Sequence, residues 1–281
     1  MTCEQRITAF RGLDGLRLVA DEWHIANDKP VILMLHGAGQ HRHSWKSTGL
    51  DLAGQGFHVV ALDSRGHGDS DRSPSANYAL ETLAADVVSV IHQLERPVAL
   101  IGASLGGLTG LLAAHQAGPD VVQKLVLVDV VPRYEKSGRD RIQDFMYSGV
   151  DGFDSLAEAA AAVADYLPGR PKPRSTEGLK KNLRLGDNGR WYWHWDPAFL
   201  STLTDDEFVR ADLLENAAVA LRIPILLIRG RLSDVVSTEG VHDFLDKVPS
   251  TQFVELSNAG HTAAGDDNDA FTDAVVRFVA T

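Results

Sequence analysis

Short runs of apolar residues alternate along much of this chain with longer stretches in which apolar residues recur every three or four positions. Residues 31–35, 57–62, 97–101, 124–129 and 224–230 are runs of the first kind. Their length and lack of polar alternation predict strands covered on both faces. Residues 251–256 predict a further strand, and residues 7–10 and 16–22 predict an opening hairpin turning at Leu13-Asp14-Gly15, because Asp-Gly favours a tight hairpin turn. Of the second kind, Leu80, Leu83, Ala84, Val87, Val88, Ile91 and Leu94 form one helical stripe, and residues 270–279 predict a closing helix. Strands alternating with helices imply a mostly parallel sheet with helices on both faces.

The alternation stops at about Val131 and resumes at Pro224. Between them lie four helix-like stretches, at 139–147, 155–167, 175–185 and 205–221, with a Gly-Arg-Pro-Lys-Pro breaker at 169–173. The expected organisation is an α/β core from residues 1–131 and 223–281, with residues 132–222 inserted as a helical cap.

Chemistry concentrates where predicted strands end. Gly102-Ala103-Ser104-Leu105-Gly106 joins the strand at 97–101 to a helix marked by Leu105, Leu108, Leu111 and Leu112. A serine on so tight a strand-to-helix turn has its hydroxyl pushed out of the sheet, and the helix start supplies free N–H groups for a developing oxyanion. A serine nucleophile needs a base, and the base an orienting acid. Asp234 follows the strand at 224–230, and His261 follows that at 251–256 on a loop containing Gly260. The expected triad is therefore Ser104, Asp234 and His261, with Asp129, at the end of the strand at 124–129, as the alternative acid.

On these residues, together with His36-Gly37-Ala38-Gly39 and Asp63-Ser64-Arg65-Gly66-His67-Gly68-Asp69-Ser70, the chain resembles the α/β-hydrolase superfamily over nearly its whole length. The resemblance implies an α/β-hydrolase fold. It also implies an oxyanion hole made by the backbone N–H groups of Ala38 and Leu105, with Gly37 and Gly39 letting backbone face the substrate. His36 then braces the glycine loop, and Asp63 and Arg65 fix the turn at Gly66-His67-Gly68. Epoxide hydrolases and dehalogenases of similar organisation use a carboxylate at the elbow, from which Ser104 departs.

The expected function is cleavage of a small, fairly apolar ester, thioester or lactone through an acyl-enzyme, without cofactor or metal. C–C bond hydrolysis of ring-cleavage products is an alternative that Gln40, standing where such enzymes often carry proline, disfavours. Cofactor-free haloperoxidase or perhydrolase chemistry would use the same triad, and a ligand-binding protein with a vestigial triad comes last. Trp191, Trp193 and Trp195 fall on one side of an extended segment. They serve either as the core of the inserted segment or as walls of an aromatic substrate pocket, with Phe145, Met146 and Tyr147 as weaker candidates. The pair His41 and His43 lacks a third ligand at metal-site spacing.

Composition narrows the partners. A formal net charge of −11 disfavours nucleic acid and anionic membranes, which are bound through excess Lys and Arg. The one cysteine, Cys3, allows no internal disulfide. Residues 97–114 are uncharged over a span long enough for a membrane, but glycines, Ser104 and Thr109 interrupt them, so a central strand followed by a buried helix is expected. The expectation is a cytoplasmic monomer or homodimer acting on a small molecule.

Overall fold

The computed structural model describes residues 4–167, 176–203, 210–261 and 268–280. Cys3 and the breaker at 169–173 lie outside the described residues. The chain opens with β1 (Glu4–Arg11) and β2 (Arg17–His24), antiparallel across a turn in which Asp14 and Gly15 both take positive φ. Four strands and three helices then alternate: β3 (Val31–Leu35), α1 (Lys46–Gly54), β4 (Val59–Leu62), α2 (Leu80–Leu94), β5 (Val98–Ala103), α3 (Leu105–Ala117) and β6 (Val122–Val128).

The stretch between β6 and the next long strand carries α4 (Lys136–Tyr147), α5 (Leu156–Tyr166), β7 (Leu183–Leu185), β8 (Trp191–Trp193), α6 (Leu200–Leu203) and α7 (Ala211–Ala220). The alternation resumes with β9 (Ile225–Gly230), α8 (Thr238–Lys247), β10 (Gln252–Leu256) and α9 (Asn268–Ala280). The large sheet runs β1-β2-β4-β3-β5-β6-β9-β10, parallel from β4 onward, while β7 and β8 form a small antiparallel pair. This is an α/β-hydrolase fold.

Strand periodicity divides the core in two. Val31, Leu33 and Leu35 of β3 face one cluster with Leu83, Val87 and Ile91 of α2 and Leu108 and Leu112 of α3. Ile32 and Met34 face the other, with Leu52 of α1 and Phe271, Val275 and Phe278 of α9. All five residues of β3 are buried, which is why the strand reads as an unbroken apolar run. The uncharged stretch at 97–114 is β5 followed by the buried helix α3, and no helix among the described residues is long and apolar enough to cross a membrane.

The segment between β6 and β9 departs from the four-helix expectation. The stretches at 139–147 and 155–167 appear as α4 and α5, and the part of 205–221 that is described contains α7. The stretch at 175–185 is instead a short 3-10 helix, Glu177–Asn182, running into β7. β7 pairs with β8 in the register Leu183↔Trp193, Arg184↔Tyr192 and Leu185↔Trp191. The connecting turn contains Asn188 and Gly189, with Gly189 at φ 79°. Asn-Gly between two short apolar runs is a hairpin signal, and it overrode the helical spacing of the residues before it.

The strand-to-helix turn after β5 depends on backbone contact. A Cβ on Gly102 would lie 2.2 Å from the Gly106 carbonyl oxygen, and one on Gly106 would lie 2.3 Å from that of Leu35. Neither obstacle is a side chain that can swing away. Gly106→Ala should therefore cost at least the 1–3 kcal/mol, roughly, of overpacking a core site. Urea denaturation measures it, and an unchanged midpoint would show that the close approach of β3 and α3 is not needed.

Candidate active site

Ser104 occupies the one residue between β5 and α3, at φ 49° and ψ −119°. A non-glycine residue there carries strain of about 1–3 kcal/mol, which persists only where the surroundings enforce it. Enforcement comes from both sides. The Ser104 N–H donates to the Val128 carbonyl at 3.0 Å, and its own carbonyl accepts from Gly107 and Leu108 at 2.8 and 3.1 Å. The chain thus turns sharply at Ser104 and starts α3 at once.

His261 reaches Ser104 from the loop after β10. That loop is seated on the end of β9, where a Cβ on Gly230 would lie 2.3 Å from the Gly260 carbonyl. His261 Nε2 lies 3.2 Å from Ser104 Oγ, and Nδ1 lies 2.8 Å from Asp129 Oδ2. A carboxylate only accepts, so Nδ1 carries the proton and Nε2 is left to accept from the serine hydroxyl.

The acid on the imidazole is therefore Asp129 and not Asp234, which corrects the expected triad. The reason is topological. β6 and β9 are neighbours in the sheet, pairing Val128 with Ile228, so the residue just past β6 lies under the histidine loop. Asp129 is fully buried at φ 49°. Its Oδ1 accepts from the Gly230 N–H at 2.9 Å, and its Oδ2 accepts from the Ser233 hydroxyl at 2.6 Å as well as from His261. Asp234 lies further along the loop and turns outward. Its two carboxylate oxygens take Arg141 Nε and Nη2 of α4 at 2.6 and 2.7 Å. That guanidinium holds the half-exposed Asp234 carboxyl below the usual range for aspartate, against the opposing effect of partial burial.

The glycine loop after β3 lies beside the serine. A Cβ on Gly37 would lie 3.4 Å from Ser104 Cβ and 3.3 Å from Gln40 Oε1, which accepts the Gly37 N–H at 3.1 Å. Among the described residues, the backbone N–H groups of Ala38 and Leu105 donate to no protein acceptor.

Buried histidines fix this loop and the neighbouring turn. His36 donates through Nδ1 to the Gly37 carbonyl and accepts the Ser64 N–H at Nε2. His67 donates to the Arg65 carbonyl and accepts the Gly39 N–H at 3.3 Å. His194, from just past β8, accepts the Gly68 N–H at 2.8 Å. Each needs one bare ring nitrogen, hence the neutral form. Burial enforces it, lowering His36 to about 4 and His67 to about 3, and His194 in the same direction. Asp63 accepts from the backbone of Arg42 and Asp69 and pairs with the Arg42 guanidinium, while Arg65 forms a bidentate pair with Asp86, as a fixed turn requires.

The tryptophans divide by position. A Cβ on Gly39 would lie 3.3 Å from the Trp195 ring and 3.4 Å from Met146, so both reach the glycine loop. Trp193 stacks on Trp195 at 5.0 Å and 14°, with Phe145 and Phe153 against it. Trp191 sits at the far end of β8, bonded through its backbone to Phe153. Tyr147 is turned away, donating its hydroxyl to the Leu200 carbonyl. His41 and His43 meet ring against ring at 4.9 Å, His41 Nε2 donating to Asn182 and His43 lying near Asp21. Ser233, Arg141 and His194 escaped the sequence reading. Ser233 and Arg141 carry no motif, and His194 was hidden among the tryptophans.

Comparison with known proteins places this geometry in context. The family model of the alpha/beta hydrolase fold matches residues 30–267. The chain is 29% identical over 253 residues to the esterase Rv0045c of Mycobacterium tuberculosis, covering 88% of this chain and 81% of that one. A crystal structure of an alpha/beta hydrolase from Novosphingobium aromaticivorans superposes with a TM-score of 0.81 at 25% identity, covering 100% and 99% of the two chains. The structure of E-2-(acetamidomethylene)succinate hydrolase superposes with a TM-score of 0.85 at 22% identity, over 99% and 100% of the chains, a likeness of fold.

The histidine clamps make stability depend on pH. His36 and His67 have folded values near 4 and 3 against an ordinary 6.5. Between those limits the unfolded chain binds more protons, so stability falls as pH falls through that window. From pH 7.5 to pH 5 each of the two should cost about 2 kcal/mol, at 1.36 kcal/mol per unit. Urea midpoints at the two pH values check this, and equal midpoints would contradict it.

Proposed function

We propose that this chain, which belongs to the alpha/beta hydrolase fold family, is a serine hydrolase of small carboxylic esters that works through an acyl-enzyme on Ser104. One observation carries the reading. Ser104 Oγ, the His261 ring and the Asp129 carboxylate form a continuous hydrogen-bonded line with spacings of 3.2 and 2.8 Å. The relation to an esterase at 29% identity supports the same class of reaction.

In this mechanism His261 Nε2 takes the Ser104 proton as Oγ attacks the ester carbonyl carbon. The carbonyl oxygen, now anionic, turns to the free N–H groups of Ala38 and Leu105. Such donors each contribute on the order of 100- to 1,000-fold in rate. The imidazolium, held by Asp129, then protonates the departing alkoxide, and the ester C–O bond breaks. Water, deprotonated by the same Nε2, attacks the acyl carbon, and collapse returns the proton to Ser104 as the carboxylic acid leaves. No step calls on a group beyond these side chains and amides.

Residues 132–222 serve as the cap in this reading. Trp195 and Met146 against Gly39, and the Arg141–Asp234 ion pair, join that segment to the core at the mouth of the site. The wall that Trp195 and Met146 give the substrate is apolar and aromatic, which suits an acyl group without charge. Trp193 backs this wall, and Trp191 stands outside it.

Intact mass after exposure to a fluorophosphonate tests the nucleophile. One adduct is expected on the wild type and none on Ser104→Ala, with turnover of 4-nitrophenyl acetate lost in the variant alone. A wild type that neither labels nor turns over short esters would overturn the reading.

A further inference from the structure

We propose that Ser233 is a positioning residue, whose hydroxyl fixes the Asp129 carboxylate in the orientation that receives His261; the inference rests on the serine-hydrolase reading above. The hydrogen-bond inventory of Ser233 leaves its proton one destination. The backbone N–H groups of Val235 and Val236 both donate to Ser233 Oγ at 3.2 Å, filling its acceptor positions. The hydroxyl has a single proton to give, and Asp129 Oδ2 stands 2.6 Å away.

The loop that presents Ser233 is tied down along its length. The Arg231 N–H donates to the Leu256 carbonyl, Leu232 to Ala259, and Ser233 to Gly230, each at 2.9 Å. Arg229 Nε donates to the Val236 carbonyl at 2.7 Å. The hydroxyl is thus a fixed donor and not a rotor that happens to fall near the acid.

A fixed donor matters because the terminal torsion of an aspartate is soft, a broad two-fold well. With the Gly230 N–H on Oδ1 and the Ser233 hydroxyl on Oδ2, the carboxylate plane is held at two points. The remaining direction on Oδ2 is the one His261 Nδ1–H fills at 2.8 Å. Without Ser233 the Gly230 N–H is the one support left besides His261 itself, so carboxylate and imidazole can turn together and carry the ring out of line with Ser104. Ser233 touches no substrate atom in this arrangement and acts only through Asp129.

The experiment measures kcat and KM for 4-nitrophenyl acetate, and the rate of fluorophosphonate labelling, in Ser233→Ala, Ser233→Thr, Asp129→Asn and the double variant Ser233→Ala/Asp129→Asn. Ser233→Ala should lower kcat and labelling by about 10- to 100-fold, the range for outer partners that orient a functional histidine. KM should stay within about twofold, since no ground-state contact is lost. Ser233→Thr keeps the hydroxyl and should recover most of the loss. In the Asp129→Asn background, Ser233→Ala should have no further effect, because the coupling runs through that carboxylate.

Ser233→Ala at wild-type rates, an equal loss with and without Asp129, or a threonine variant no better than alanine would each overturn the proposal. If the alanine variant does not fold, Ser233→Cys takes its place. A thiol is a weak donor, so cysteine should fall well below threonine, and equal rates would overturn the proposal. Loss of activity in Asp129→Asn with Ser233→Ala intact removes this inference alone. A wild type inert to both probes removes the serine-hydrolase reading and this inference with it.

Discussion

A fully buried carboxylate is tolerable only where donors replace the water it has lost, since an unpaired buried charge costs several kcal/mol. Asp129 meets that condition with three donors from two segments: the Gly230 amide at the end of β9 and the Ser233 hydroxyl in the loop that follows it, and the His261 ring from the loop after β10. Satisfying this one group therefore brings together the ends of β6, β9 and β10. Ser104 enters from β5, the other neighbour of β6, through its N–H on the Val128 carbonyl. The strained backbone at Ser104 and the buried charge at Asp129 are both held by the packed parallel sheet beneath them.

The glycine loop after β3 is held by a different means. Neutral histidines accept backbone N–H groups that would otherwise be orphaned in a tight turn, His67 taking Gly39, His36 taking Ser64 and His194 taking Gly68. The last of these comes from the segment between β6 and β9, so this segment helps shape the turn at residues 63–70 as well as placing Trp195 beside Gly39. The Arg141–Asp234 pair joins the same segment to the core on the other side of the site.

Much of this was legible in the chain. Unbroken apolar runs marked the buried strands because both faces of a parallel sheet are covered, and the glycines around Ser104 marked a place where backbones touch. His261 stood out as the histidine on a glycine-bearing loop past the last strand. The acid was harder, because two aspartates each follow a strand end. Choosing between them takes the lateral order of the strands and the direction each side chain leaves its loop, and neither is written in local spacing. The hairpin of β7 and β8 was missed for a related reason. Its pairing is set by the turn at Asn188-Gly189 and by the partner strand, while the residues of β7 read alone have helical spacing. Ser233 carries no motif at all, since its importance lies wholly in what it faces.

In the proposed mechanism the carboxylate serving His261 is the one just past β6 and not the one in the loop after β9. Comparing kcat/KM of Asp129→Asn and Asp234→Asn on one short ester tests it directly. A loss on the order of 10,000-fold is expected for Asp129→Asn, the scale of removing the charge of a triad acid, and a loss below about tenfold for Asp234→Asn, which gives up only a half-exposed ion pair. The reverse pattern, with Asp234→Asn inactive and Asp129→Asn near wild type, would contradict it.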